Sequence, residues 1–119
     1  MTGKRSYRDL QVWTRAMQLA LKIYRLTDEF PAGARFNLTD QLRRAVISIP
    51  TNIAEGHGRG PKMFRHYLDI ALGSTAEVDT LLELAHQLGF LSAAHYSPLA
   101  QEVMEIRKML FGLRRSIPT

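Results

Sequence analysis

The chain has no cysteine among its 119 residues. Disulfides, thiol nucleophiles and cysteine-ligated metals are excluded at once. There is no apolar run of about 18 residues, so no transmembrane helix is expected. The start, MTGKRSYRDLQ, has basic residues but no apolar stretch behind them, so we expect no signal peptide. Alternating β-branched runs between hairpin turns are nearly absent, which argues against a sheet. The four histidines, His57, His66, His86 and His95, never stand four apart, and no HExxH motif occurs. Neither a metal site nor another cofactor is therefore expected. Taken together, these absences favour a cytoplasmic all-α protein.

What is present is ordinary in amount and uneven in placement. Hydrophobic residues make up 45% and charged residues 23%, as in a globular chain. At this length the chain is one domain, residues 1–119. The net charge is +5 and the sequence pI about 10.0, a bias toward polyanionic partners. Residues 1–31 hold Lys4, Arg5, Arg8, Arg15, Lys22 and Arg25 against Asp9, Asp28 and Glu29. Residues 61–90 are slightly acidic, with Asp69, Glu77, Asp79 and Glu83 against Lys62 and Arg65. The tail adds Arg107, Lys108, Arg114 and Arg115.

Four segments have the three-four apolar spacing of helices, at about 7–29, 39–56, 61–88 and 93–115. Ser6 is a plausible cap for the first, whose stripe reads Leu10, Trp13, Met17, Ala20 or Leu21, and Tyr24. Thr39 is the cap expected for the second, with the stripe Leu42, Val46, Ile49, Ile53. Pro61 suits the first turn of the third, and Gly89 its end. The third has two stripes: Phe64, Leu68, Ala71, Thr75, Val78, Leu82, Ala85, and beside it Tyr67, Ile70, Ser74, Glu77, Leu81, Leu84, Leu88. Start signals for the fourth occur at Ser92 and at Ser97-Pro98, and its stripe reads Tyr96, Leu99, Val103, Ile106, Leu110, Leu113. Short connections between four such helices imply an antiparallel up-down-up-down bundle. The doubled stripe buries more than one copy can use, so a homo-oligomer is expected.

The densest polar segment is QLRRAVISIPTNIAEGHGRG, residues 41–60. Arg44, Ser48, Asn52, Glu55 and Arg59 recur at three and four, forming one ridge on a helix. Arg43 lies on the next row, and Gly56 allows close backbone approach. The ridge reads either as a structural polar network or as a ligand-facing surface. Glu77 falls on an apolar stripe, so it is expected to be buried and paired with Arg43 or Arg44. With Ser74, these residues form the candidate network: Arg43, Arg44, Asn52, Glu55, Gly56, Ser74 and Glu77. Glu102 and Glu105 are expected to be solvated. For phosphate contacts the candidates are Arg8, Arg15, Lys22, Arg43, Arg44, Arg59 and Lys62, with Arg5 and Arg25 on the first helix and the tail arginines in support. Arg8, Arg15 and Lys22 recur every seven residues and so share a face. No catalytic constellation is recognised.

The stretches YRDLQVWTRAMQL, LTDQLRRAVISIPTNIAEGHGR, FRHYLDIALGSTAEVDTLLELA and IRKMLFGL give the chain a resemblance to a bacterial family of four-helix-bundle proteins. These are the 23S rRNA intervening-sequence proteins, related to the accessory protein of diversity-generating retroelements. The resemblance implies a four-helix bundle assembled as a ring-like homopentamer. It implies a role beside nucleic acid for the retroelement relatives and no assigned role for most members. Two readings follow: a non-enzymatic oligomer that binds RNA or DNA through basic surface residues, and an oligomeric scaffold whose polar ridge is structural.

Overall fold

A computed structural model describes residues 6–118, so Lys4 and Arg5 lie outside the described residues. Four helices form an all-α bundle: α1 (Gln11–Thr27), α2 (Asp40–Gly56), α3 (Pro61–Gln87) and α4 (Ala93–Ser116). Each helix packs on its sequence neighbours, most extensively α2 on α3, and α4 closes back on α1. Among the described residues there is no strand, and no helix is long and apolar enough to cross a membrane.

The core comes from one inward row per helix. Leu42, Val46, Ile49 and Ile53 of α2 are fully buried, as are Leu68, Ala71, Thr75, Val78 and Ala85 of α3. Val103, Ile106 and Leu110 complete it from α4. These rows are the expected ones. In α1 the expected row is right only in part: Leu10 is buried and Trp13 and Ala20 pack against the core, but the rest of the row is not inward. Val12, Ala16, Leu19 and Ile23 face the core, whereas Met17, Leu21 and Tyr24 are exposed. The helix carries two apolar rows of the same period, and periodicity cannot choose between them. Packing selects the row with the small Ala16, which permits close approach.

The helix starts also depart from expectation in two places. Ser6 does act as a cap, accepting from the Arg8 N–H at 3.1 Å, but it caps a short 3-10 turn, Tyr7–Asp9. The chain then extends at Leu10 (φ −82°, ψ 123°) to bury that side chain, and α1 begins only at Gln11. Thr39 caps nothing. Its backbone is already helical, continuing a wide turn over Arg35–Thr39. That turn places Leu38 in the core and leaves Phe36 outside at 87% exposure. The Thr39 hydroxyl is buried with no partner among the protein atoms.

The other two corners follow the expected chemistry. Gly58 and Gly60 take positive φ (85° and 89°) ahead of Pro61, the first residue of α3. Gly89 (φ 84°) ends α3: the Phe90 N–H donates to the Ala85 carbonyl and the Gly89 N–H to that of His86. This pair of bonds is the Schellman pattern. Ser92, not Ser97, caps α4, accepting from the His95 N–H at 3.3 Å.

Candidate nucleic-acid interface

The polar ridge of α2 divides into pieces with different partners. At its centre Asn52 Nδ2 donates to the Ser48 carbonyl and to Ser48 Oγ, both at 2.8 Å. Ser74 Oγ reaches the same Ser48 Oγ at 2.8 Å, so the cluster ties α2 to α3. Held this way, Asn52 satisfies its amide on its own helix, and Ser48 carries the link to α3. Glu55 and Arg59 form an exposed ion pair at 2.7 Å, one turn apart. Gly56 is buried where the two helices come closest; a Cβ there would lie 2.6 Å from the Tyr67 Cβ. Its role is close packing.

Arg43 is engaged with α1. Its Nε donates to Thr27 Oγ1 at 2.8 Å, and its Nη2 to Asp28 Oδ1 at 2.8 Å and the Tyr24 carbonyl at 3.2 Å. Its guanidinium also lies 4.7 Å from the Tyr24 ring centroid. A side chain so committed is a strut between helices.

Glu77 departs from its expected environment. It is exposed, and among the described residues neither Glu77 nor Arg44 forms an ion pair. The reason lies in the second stripe of α3. Ser74 and Leu81 turn inward against α2, while Ile70, Glu77, Leu84 and Leu88 lie on its outer edge.

Two further cations are committed within the bundle. Arg15 makes a two-pronged pair with Glu102 of α4, both bonds 2.8 Å. Glu102 is therefore not solvated as expected. The hydrogen bond from Arg15 holds its carboxyl below the usual range, outweighing partial burial, and the same bond raises the Arg15 pKa. Arg8 lies in the 3-10 turn ahead of the extended Leu10, so of the face expected for Arg8, Arg15 and Lys22 only the last two are on α1, and Arg15 is taken up by Glu102. Arg107 donates to Thr75 Oγ1 at 2.8 Å and to the Leu72 carbonyl at 3.3 Å, which satisfies a buried hydroxyl.

A group of six cations stands where α1 begins, α2 ends, α3 begins and α4 ends. Arg8, Arg59, Lys62, Arg65, Arg114 and Arg115 stand there, with Asp9, Glu55 and Asp69 as the carboxylates. Arg8 stacks over Tyr7 and Trp13 at 5.5 and 5.3 Å. Arg65 donates to the Pro118 carbonyl, joining the last residues to α3. Arg114 grips Asp69 with two hydrogen bonds, and these lower the aspartate's pKa. Lys62 and Arg115 make no ion pair among the described residues. Of the candidate phosphate contacts, then, Arg8, Arg59 and Lys62 are brought together. Arg15 and Arg43 are committed elsewhere, and Lys22 and Arg44 lie outside this end. Arg65 was not a candidate. It stands one turn from Lys62 on α3, and the antiparallel return of α4 brings the supporting tail arginines, Arg114 and Arg115, to the same end.

One Glu-x-x-His spacing exists, at Glu83 and His86, and a single copy is half of a bundle di-metal site. Here Glu83 accepts from Tyr96 Oη at 2.7 Å and Gln87 Nε2 at 3.0 Å. The His86 ring stacks on Tyr96, its Nδ1 2.9 Å from the Leu91 carbonyl. Among the described residues no group of three or more histidines and carboxylates could hold a metal ion.

The fold and this surface define a small four-helix bundle with one basic end and helices tied together by arginines. The chain belongs to the 23S rRNA-intervening sequence protein family, whose model matches residues 8–112. Its fold is similar to a crystal structure of a protein of unknown function from the S23 ribosomal protein family of Bacteroides thetaiotaomicron. That similarity has a TM-score of 0.80 and 24% identity over 87% of this chain and 95% of the other. No functionally curated protein matches the chain.

Proposed function

We propose that this protein is a non-enzymatic, cytoplasmic bundle that assembles with copies of itself and binds RNA or DNA through the phosphates. The observation that carries the reading is the excess of cations over carboxylates at the end holding Arg8, Arg59, Lys62, Arg65 and Arg115. Such contacts neutralise phosphates without reading bases, so the binding is insensitive to sequence and sensitive to salt. Assembly would repeat the basic end, and repetition raises avidity without any new contact. The resemblance makes a ring of five the working assembly. A native mass of five times the 13.5 kDa chain is its signature.

Fluorescence anisotropy with generic RNA and duplex DNA over a salt series tests the binding. The logarithm of affinity must fall steeply and linearly with the logarithm of salt. Absent or salt-independent binding at about 50 mM salt, where phosphate contacts are strong, overturns the nucleic-acid reading. The scaffold reading would then stand, favoured by the Ser48–Asn52–Ser74 cluster, which is directed between helices.

A further inference from the structure

Two apolar stripes remain uncovered on this bundle, and their charges are opposite. The first is the outer row of α1, Met17, Leu21 and Tyr24, with Leu21 51% exposed. It borders α2, because Arg43 lies over the Tyr24 ring. One turn beyond Arg43, Ile47 extends the apolar surface and is 41% exposed. The cations of this face are Arg25, Arg43 and Arg44; Asp28, just past α1, is paired with Arg43, and α1 itself contains no carboxylate. The second stripe is the outer edge of α3: Ile70, Leu84 and Leu88, the last 53% exposed. Glu77 stands in its middle, and from His66 to Gln87 the helix carries carboxylates and no lysine or arginine. Leu84 and Leu88 also line an open apolar hollow of about 510 Å³ with Leu81, Phe90 and Pro31.

We infer that the occupant of each stripe is the other stripe of a second copy, with Arg44 of one copy paired to Glu77 of the next. This rests on the self-assembly reading above and gives it a surface. Three observations support it. Both partners are exposed, yet among the described residues they make no ion pair. Each stands among exposed aliphatic side chains, so docking would place the pair inside an apolar surround, where a charge pair carries specificity. One contact covers both stripes, whereas a two-fold contact of the α3 edge with itself would oppose Glu77 to Glu77 and leave α1 bare. An interface between two different surfaces is head-to-tail, and it closes into a ring when its rotation permits.

The test uses charge reversal and mixing. Arg44→Glu and Glu77→Arg, both on exposed positions, should each keep the helical circular-dichroism spectrum and raise the dissociation constant of the assembly about tenfold or more. Mixing the two variants should restore association between unlike chains, each meeting its opposite charge on the other, although an odd ring of five keeps one like-charged contact. A second measurement exploits the absence of native cysteine. Arg44→Cys mixed with Glu77→Cys should give a linked heterodimer with a short bismaleimide, and neither variant alone should do so. Restoration only when both reversals share one chain would place the pair within a chain and overturn the inference. Unimpaired assembly of either reversed variant, or no cross-link in the mixture, would overturn it as well. In both cases an oligomeric wild type leaves the self-assembly reading standing. A monomeric wild type removes both.

Discussion

The two ends of the bundle use arginine in opposite ways. Where α1 meets α2, Arg43 is clamped by Thr27, Asp28 and the Tyr24 carbonyl. Around it, Asp28, Glu29, Asp40, Asp79 and Glu83 match Lys22, Arg25, Arg35, Arg43 and Arg44 in number. At the other end cations outnumber carboxylates, and Lys62 and Arg115 are without ion pairs among the described residues. The molecule is 49 Å in its long dimension, several times the roughly 8 Å screening length at physiological salt. The ends therefore act on solutes independently. A net charge of +5 read for the whole chain conceals this division.

The largest expected effect breaks that comparison directly. Reversing Arg59, Lys62 and Arg65 to glutamate should lower nucleic-acid affinity about a hundredfold and flatten the salt dependence. Reversing Lys22 and Arg25 should change affinity by less than about threefold at the same salt. Equal losses from the triplet and the pair, measured by anisotropy, would abolish the distinction between the ends.

Next comes the packing that supports the basic end. Gly56→Ala forces a methyl against Tyr67 and Phe64 and should cost about 1–3 kcal/mol in denaturant unfolding. Gly73→Ala, with nothing within 4 Å of its new Cβ, should gain about 0.5–1 kcal/mol. At the opposite end, Arg43→Ala removes three hydrogen bonds and should cost about 1–2 kcal/mol, leaving nucleic-acid affinity unchanged.

The smallest effect concerns acid. Glu102 titrates below its ordinary value because Arg15 bonds its charged form. A lowered folded-state pKa contributes stability above the unfolded pKa of about 4.3, and that contribution is lost as pH falls through the folded value. Glu102→Gln should cost about 0.5–1 kcal/mol at pH 7 and nothing well below pH 4. Unfolding curves at the two pH values check the sign.

Which parts were legible follows from the kind of signal each leaves. The α2–α3 and α3–α4 corners were readable because Pro61, Gly89 and Ser92 act locally, each through its own backbone geometry. The rows of α2, α3 and α4 that fill the core were readable because one row in each is continuously apolar. In α1 two rows compete, and the choice of Val12, Ala16, Leu19 and Ile23 over Met17, Leu21 and Tyr24 is made by what the other helices bring against them. The candidate site was less legible. Spacing placed Arg8, Arg15 and Lys22 on one face, but it could not register that Glu102, distant in sequence, would take up Arg15.

The sequence by itself determined that this chain is helical, cysteine-free, basic and divided into four segments of three-four periodicity. Those are properties of neighbouring residues, whose geometry depends on spacing along one chain. Only the tertiary structure decided which arginines are struts and which are surface. Glu77 in the open, Arg43 on Thr27 and Arg65 beside the tail are contacts between segments distant in sequence. A charge is tied or free according to what the neighbouring helix sets within about 3 Å of it, and no local pattern records that distance.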